Sequence, residues 1–185
     1  MDDSERFQLF ADPFTPADQS LLAGLYCGDE PWSRASMEWI TTTEVLDSIE
    51  QHKTSVWLYR NQEEVVIGFG SLAATGWQKW PPPDGKRSRL LYIPQLGIDE
   101  RFRGQPPDSR WRYSNQIMSH LIYQAHALAN LIKEEKPPRK HVDLLTLMVH
   151  RDNKPAMRVY ERFGFELLQG FEDNEHLVMS HRLDV

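Results

Sequence analysis

The stretch from Val142 to Phe165 constrains the fold of this chain more than any other part of the sequence. Its first part, Val142 to Val149, is almost continuously apolar, as is typical of a strand buried on both faces in a parallel sheet. A polar break over residues 150–154 follows, and Pro155 stands where the first turn of a helix tolerates it. The stretch therefore predicts a buried parallel strand that leads directly into a helix.

The predicted helix has an apolar face that includes a tyrosine. Ala156, Val159, Tyr160 and Phe163 recur at helical spacing, and Gly164 suits a left-handed cap at the helix end. On the residues alone, Tyr160 either fills the core and hydrogen-bonds its hydroxyl, or presents that hydroxyl to a site.

The same residues fit a longer pattern. Asn153, Ala156, Tyr160, Gly164 and Phe165 form the string N-x-x-A-x-x-x-Y-x-x-x-G-F, which closely resembles the last conserved block of the GNAT superfamily of N-acetyltransferases. The resemblance implies that Asn153 and Ala156 lie beside an acetyl-CoA cleft. It also implies that the Tyr160 hydroxyl protonates the departing thiolate.

A second block lies upstream. The segment from Leu90 to Ile98 predicts another mostly buried strand, and Pro94 marks a bulge or a parting of strands because it cannot donate a ladder hydrogen bond. The GNAT fold has such a parting between its two central parallel strands, with the thioester in the gap. By this resemblance Leu96, Gly97 and Ile98 lie at the cofactor, and a backbone N–H near Ile98 polarises the carbonyl.

The residues after this strand resemble the opening of the phosphate loop of that family. The N–H groups and the dipole at a helix start bind a diphosphate with little help from side chains. Arg103, Gly104 and Gln105 fit the pattern. The segment from Pro106 to Asp108 interrupts it, because proline has no N–H and aspartate repels phosphate.

Two interpretations of this interruption are open. Either the loop is degenerate and the fold lacks a cofactor, or the segment from Pro106 to Trp111 is an insertion after which the pattern resumes. We favour the insertion, in which Arg110 or Arg112 replaces part of the lost amide contacts because guanidinium pairs well with phosphate. This interpretation adds to the cofactor site the residues Arg112, Tyr113, Ser114 and Asn115.

The remaining patterns complete a fold prediction. A strand is predicted at Phe7 to Phe10, helices start at Thr15 and near Thr41, and a long helix from Ser114 to Lys136 links the two buried strands by a right-handed crossover. The predicted fold class is α/β (α+β), with a single GNAT domain over residues 1–185. Its mixed central sheet has about six to seven strands, helices on both faces and a splayed parallel strand pair.

A loop is predicted from Gly28 to Ser36, between the first two helices. In the GNAT family this loop helps to shape the acceptor pocket. The resemblance therefore makes Asp29, Glu30 and Trp32 candidates for substrate binding, although a solvated loop also explains each of them.

Composition limits the partners. The net charge of −6 argues against nucleic acid and anionic membranes as partners. No apolar run reaches membrane-spanning length, and the acidic start M-D-D-S-E-R is unlike a secretory signal, so a cytoplasmic location is expected. Cys27 is the only cysteine, so neither an internal disulfide nor a thiolate metal cluster is expected. The histidines have no spacing that predicts metal ligands.

The predicted function is transfer of an acetyl group from acetyl-CoA to a primary amine, most simply a small molecule. Tyr160 is the predicted acid, and Tyr92 and His150 are the candidate bases, with a water chain as an alternative. Two other functions stay open: a non-catalytic CoA-binding module, and an acetyltransferase that acts on protein lysines or N-termini. A homodimer is expected only by analogy with the family.

Overall fold

The computed structural model describes residues 7–75, 78–80, 86–108, 110–134, 142–170 and 173–183. In chain order they form β1 (Phe10–Pro13), a 3-10 helix (Pro16–Gly24), α1 (Pro31–Thr41), α2 (Thr43–Glu50), β2 (Thr54–Arg60), β3 (Val66–Ala74), β4 (Gln78–Trp80), β5 (Lys86–Ser88), β6 (Leu91–Ile93), β7 (Leu96–Ile98), a short 3-10 turn (Glu100–Phe102), α3 (Tyr113–Glu134), β8 (Leu144–His150), α4 (Lys154–Arg162), β9 (Glu166–Leu167) and β10 (His176–Arg182). The chain divides into two compact units, Met1–Ser71 with Gln95–Ser119, and Leu72–Pro94 with His120–Val185.

The first unit is built on the strand order β1-β2-β3, with β7 antiparallel to the first part of β3. The turn between β2 and β3 is held by the Asn61 side chain, which accepts hydrogen bonds from the backbone N–H groups of Glu63 and Val65. Apolar burial, the main stabilising term of such a unit, joins residues from most of its elements. They are Phe14, Leu22, Leu25, Cys27, Ile40, Val45, Val56, Leu58 and Phe69.

The second unit contains the parallel pair that the apolar runs predicted. β6 runs parallel to β8, with Leu91 opposite Leu145 and Ile93 opposite Leu147, and β10 pairs antiparallel with β8 along its whole length. The odd-numbered residues of β8 are buried. They share a sheet face with His181, whose ring contacts Phe165 after α4 and His126 on α3. Both helices therefore cover this face.

The strand that the sequence predicted from Leu90 to Ile98 is divided at Pro94. β6 pairs with the last residues of β3 and with β8, whereas β7 pairs with the first part of β3. Eight strands are connected in this way in a mixed sheet, against about six to seven predicted. The predicted fold class and the parting at Pro94 are confirmed.

Hydrogen bonds of Ser71 explain why the strand divides where it does. The Ser71 hydroxyl donates to the Gln95 carbonyl oxygen at 2.7 Å and accepts from the Gln95 N–H at 2.9 Å. The Ser71 N–H also donates to the Gln95 carbonyl oxygen, at 3.1 Å. Gln95 is thus fixed to β3, and β7 continues from it in that ladder.

The predicted helix after β8 is present as α4. Asn153 caps it, since its side chain accepts the N–H of Ala156 at 3.2 Å. Pro155 lies in the first turn, and Gly164 has a φ of 76°, the left-handed conformation that favours glycine at a helix end.

Two predicted elements were misplaced. The first strand is Phe10–Pro13 rather than Phe7 to Phe10. The loop prediction was wrong from Pro31 onward, because α1 begins there with Glu30 at its N-cap and a proline at its first position. The long helix starts at Tyr113, one residue before the prediction, and its predicted end at Lys136 lies outside the described residues.

Candidate functional site

β7 has one backbone edge that is not used in a ladder. The N–H groups of Gln95 and Asp99 donate to Ser71 and Ile67 of β3. Because successive N–H groups of a strand alternate in direction, those of Leu96 and Ile98 point away from β3. Among the described strands β7 pairs with β3 alone. Two backbone donors are therefore available at this edge, at the residues that the sequence assigned to the cofactor.

Gly97 is required by packing on the face of β7. A Cβ at this position would lie 2.4 Å from Cε1 of Phe69 and 2.9 Å from Sγ of Cys27. Only glycine lets the strand lie this close to the core. The close approach also buries the Cys27 thiol and raises its pKa to about 12.

The described residues between Pro106 and Trp111 form a side loop, and the hypothesis that this segment is an insertion stays a prediction. The Tyr113 N–H donates to the Gln105 carbonyl oxygen at 2.9 Å, which joins the two ends of the segment. At the C-terminal end of the segment, the Gln116 side-chain amide donates to the Trp111 carbonyl oxygen at 2.6 Å. Residue 109 lies outside the described residues. Gln105 and the first residue of α3, Tyr113, are therefore neighbours in space although seven residues separate them in sequence.

Several donors at the start of α3 have no acceptor in the described part of the chain. They include the N–H groups of Gly104 and Ser114. Gly104 has a φ of 73°, which glycine adopts without strain. The Nε atom of Arg112 is buried and also lacks a partner among the described residues. A buried donor without a partner is costly, so this group of donors fits an anionic ligand.

Arg110 and Arg112 both donate hydrogen bonds to acceptors of the side loop. Arg110 pairs with Asp108 at 3.2 Å within the side loop. The Arg112 Nη2 atom donates to the Pro107 carbonyl oxygen at 2.9 Å, which orients its guanidinium. That Arg110 or Arg112 meets phosphate stays a prediction, and within the described residues Arg112 is the one of the two with a buried side-chain donor that lacks a partner.

The proposed acceptor residues have different surroundings. The Glu30 carboxylate accepts from the Ser33 hydroxyl at 3.0 Å and pairs with Arg103 at 3.2 Å. Asp29 is exposed and accepts a hydrogen bond from the Tyr26 hydroxyl, which raises the Tyr26 pKa to about 12. Trp32 is half-buried in the first turn of α1. The Glu30 carboxylate is thus occupied by hydrogen bonds within the protein, whereas the Asp29 carboxylate is exposed to solvent.

Tyr160 has a buried ring and a hydroxyl with no partner in the described part of the chain. The residue is 8% exposed, and its ring centroid lies 6.0 Å from that of Phe165. Its hydroxyl makes no hydrogen bond there and is not one of the fully buried atoms that lack a partner. The hydroxyl is therefore not committed to an acceptor or donor of the described residues. Burial of the ring raises the pKa of Tyr160 to about 12.

The two candidate bases lie elsewhere in the second unit. Tyr92 is opposite Thr146 in the ladder, so it lies on the sheet face opposite the one that α4 covers. His150 ends β8, and its Nδ1 atom accepts the N–H of Asp152 at 3.1 Å. This bond assigns the proton of a neutral His150 to Nε2. Neither ring nitrogen of that tautomer then has a free lone pair.

Asp99 is an organising residue that the sequence interpretation missed. Its carboxylate is fully buried and accepts the Tyr26 N–H at 3.1 Å and the Arg101 guanidinium at 2.8 Å through each oxygen. Burial raises the Asp99 pKa, but these hydrogen bonds outweigh it and hold the pKa below its usual value. An aspartate directly after a strand and before a short helical turn is an N-cap signal that could have identified it.

The described residues lack two further features, a cluster of metal ligands and a membrane-spanning helix. No group of three or more histidine, cysteine, aspartate or glutamate residues there is arranged to hold a metal ion. No helix in the described ranges has the length and apolar character that a membrane span requires.

Comparison with known proteins gives matches in structure only. No protein-family model and no curated protein matches the sequence. AtaT complexed with acetyl-methionyl-tRNAfMet matches with a TM-score of 0.65 and 17% identity, covering 95% of this chain and 95% of that chain. AtaTR bound with AcCoA matches with a TM-score of 0.65 and 17% identity over 94% and 93%. Arabidopsis thaliana NAA60 in complex with a bisubstrate analogue matches with a TM-score of 0.59 and 16% identity over 96% and 99%.

These matches extend over nearly the whole of this chain, including its mixed sheet. Identities below one fifth establish the fold and nothing finer. The chain therefore has the GNAT fold.

Proposed function

We propose that this chain is an N-acetyltransferase that uses acetyl-CoA and a primary amine. The observation that carries the proposal is the edge of β7 that pairs with no other described strand and offers the N–H groups of Leu96 and Ile98 in a chain of GNAT fold. Two of the similar solved structures, AtaTR and Arabidopsis thaliana NAA60, are described as bound to acetyl-CoA.

The residues at the start of α3 fit the diphosphate of this cofactor. The N–H groups of Gly104 and Ser114 and the buried Nε atom of Arg112 are donors without acceptors in the described residues. The N-terminus of the long helix adds partial positive charge. Arg112 would supply the contact that the prolines of the side loop cannot make.

Acetyl-CoA, when bound, supplies an activated acetyl thioester. The β7 edge would donate an N–H, from Ile98 or Leu96, to the carbonyl oxygen as negative charge develops there. Because the strand is fixed to β3 through Ser71 and Gln95, this donor is held in place before the reaction. Such preorganisation lowers the barrier because no reorientation is needed.

Tyr160 would donate a proton to the departing sulfur. With a pKa of about 12 its phenol stays protonated at neutral pH, so it can act as a donor. An ammonium acceptor first loses one proton to bulk water. The bond between carbon and sulfur then breaks as the neutral amine nitrogen bonds to carbon, and the second proton of the amine returns to Tyr160 through water. We propose water as the proton acceptor, because the accepting nitrogen of His150 already binds the Asp152 N–H. A direct role for Tyr92 or His150 as base stays a prediction.

A small cationic amine is the acceptor class that we propose. AtaT is described in complex with an acetylated aminoacyl-tRNA, and binding of RNA would draw on arginines at the phosphates. Here Arg101, Arg103 and Arg110 are each paired with a carboxylate of the same chain. Asp29 is an exposed carboxylate in the predicted acceptor segment and could attract an ammonium group.

An acetyl-transfer assay tests this function. Release of the CoA thiol would be measured with wild-type protein, acetyl-CoA and three sets of acceptors: small amines, peptides with free N-termini, and methionyl-tRNA. The proposal expects release with small amines above the rate without acceptor. Release with peptides alone or tRNA alone would instead identify a macromolecular acceptor. Bound CoA without release in any set would identify a non-catalytic module.

A further inference from the structure

Two segments of the first unit are joined by a cluster of hydrogen bonds. Residues 24–33, which we call the acceptor-side segment, meet residues 99–103 directly after β7. The Tyr26 N–H donates to the Asp99 carboxylate at 3.1 Å, and the Tyr26 carbonyl oxygen accepts the Glu100 N–H at 2.8 Å. Arg101 adds a bond to the Gly24 carbonyl oxygen at 3.2 Å.

Arg103 makes the contacts of this cluster that lie nearest to the phosphate loop. Its Nη2 atom donates to the Cys27 carbonyl oxygen and, at 2.8 Å, to the Ser33 hydroxyl. Its Nη1 atom pairs with the Glu30 carboxylate at 3.2 Å. One planar guanidinium thus binds a carbonyl, a hydroxyl and a carboxylate of the acceptor-side segment. A lysine could not satisfy the three acceptors in this geometry.

Arg103 lies directly before the proposed diphosphate site in the sequence. The next residue is Gly104, whose N–H has no acceptor among the described residues and belongs to the proposed diphosphate site. Ordering of this backbone by a ligand would then reach, through the Arg103 guanidinium, the acceptor-side segment that leads into α1. Coupling between two sites is reciprocal, so order in the segment also favours the ligand.

We propose that Arg103 is a positioning residue that couples CoA binding to order in the acceptor-side segment. Its side chain would not contact phosphate, contrary to the role that the sequence pattern gives it. The inference rests on the proposed function, because the ligand is CoA. It assigns to Arg103 and Glu30 a shared role, in place of the separate cofactor and substrate roles predicted for them.

Amide hydrogen exchange with and without saturating CoA tests this coupling. In wild-type protein CoA should slow exchange in peptides covering residues 24–34 by at least about fivefold, the lower end of ordinary coupling free energies. In Arg103→Gln, titration calorimetry should still detect CoA binding, but the slowing over residues 24–34 should be lost. Arg110→Gln is the matched control, because the ion pair that it breaks, with Asp108, lies within the side loop and not in the acceptor-side segment. It should keep the wild-type response.

A second variant keeps the test decisive if Arg103→Gln does not fold. Glu30→Gln breaks the same ion pair from a partly exposed position and should also reduce the slowing, whereas Glu38→Gln on the exposed face of α1 should not. The inference is overturned if CoA binds and slows exchange equally in wild type and in the Arg103 or Glu30 variant. It is also overturned if CoA binds without any effect on residues 24–34. Absence of CoA binding to wild type would instead refute the proposed function on which the inference rests.

Discussion

Tyr160 combines a buried ring with a hydroxyl that meets no acceptor or donor in the described residues. A tyrosine that only fills a core normally hydrogen-bonds its hydroxyl, because an unpaired polar group costs free energy. Its position on α4 follows from the capping of that helix by Asn153 and from the contact between Tyr160 and Phe165. The hydroxyl is thus held in place by packing while it stays available for proton transfer.

Tyr160→Phe separates the packing of the ring from the proton donation by the hydroxyl. The ring and its contact with Phe165 are kept, whereas the proton donor is lost. We expect turnover to fall about 100-fold, the usual lower range for loss of a general acid, with little change in the Kd of acetyl-CoA. Steady-state rates and titration calorimetry on the same preparations would measure both quantities. Equal turnover in the variant and wild type would remove Tyr160 from catalysis.

Gly97→Ala tests the close approach of β7 to the core. The added Cβ would lie 2.4 Å from Cε1 of Phe69, closer than two non-bonded carbon atoms can approach, so the strand or the ring must shift. We expect the free energy of unfolding to fall by about 1–3 kcal/mol, as for other overpacked cores. Urea unfolding would measure it. Gly24→Ala is the control, because a Cβ there meets nothing within 4 Å. Equal stability of the two variants would contradict the packing argument.

At the scale of elements, the division of one predicted strand into β6 and β7 creates the proposed site. It depends on Ser71, which is fully buried and satisfies both backbone groups of Gln95. Without the hydroxyl the Gln95 N–H would lose its acceptor, and β7 would be held less firmly in the ladder of β3.

Ser71→Ala should therefore affect both stability and binding. We expect a loss of about 1–3 kcal/mol in the free energy of unfolding, the cost of leaving a buried donor unpaired, and weaker binding of acetyl-CoA. Ser55→Ala on the exposed side of β2 is the matched control and should change neither. Unchanged affinity for acetyl-CoA in Ser71→Ala would show that the position of β7 does not matter for the ligand.

How far the sequence predicts these elements depends on the kind of signal. The buried strand β8, the helix α4 and the parting at Pro94 were predicted because apolar runs, caps and proline act locally. The start of α1 was missed although Glu30 and Pro31 carry a helix-start signal, because polar residues around them suggested a loop. The contacts that Arg103 and Asp99 make with Ser33 and Tyr26 could not be predicted, since those partners are about 70 residues away in sequence. Those contacts depend on tertiary structure.

For the whole molecule, pH dependence of stability should reflect the buried Asp99. Its pKa is below the usual value in the folded state, so the carboxylate contributes stability above the unfolded pKa, near pH 4. That contribution is lost as pH falls through the lower folded pKa. Asp99→Asn should lower the free energy of unfolding by about 1–3 kcal/mol at pH 7, and the difference from wild type should narrow below about pH 4.

Urea unfolding of both proteins between neutral and acid pH would measure this difference. Asp47→Asn on the exposed surface of α2 serves as the control and should leave stability nearly unchanged. A gap between wild type and Asp99→Asn that stays constant down to acid pH would contradict the assignment of the charged form to the folded state.

The central claim is that a GNAT fold with an interrupted phosphate loop still binds acetyl-CoA, through the β7 edge and the start of α3. Titration calorimetry of acetyl-CoA into wild type, Arg112→Ala and Arg110→Ala measures it most directly. We predict one site per chain in wild type, affinity weakened about tenfold in Arg112→Ala by loss of one charge-assisted contact, and wild-type affinity in Arg110→Ala. No binding to the folded wild-type protein would contradict the account.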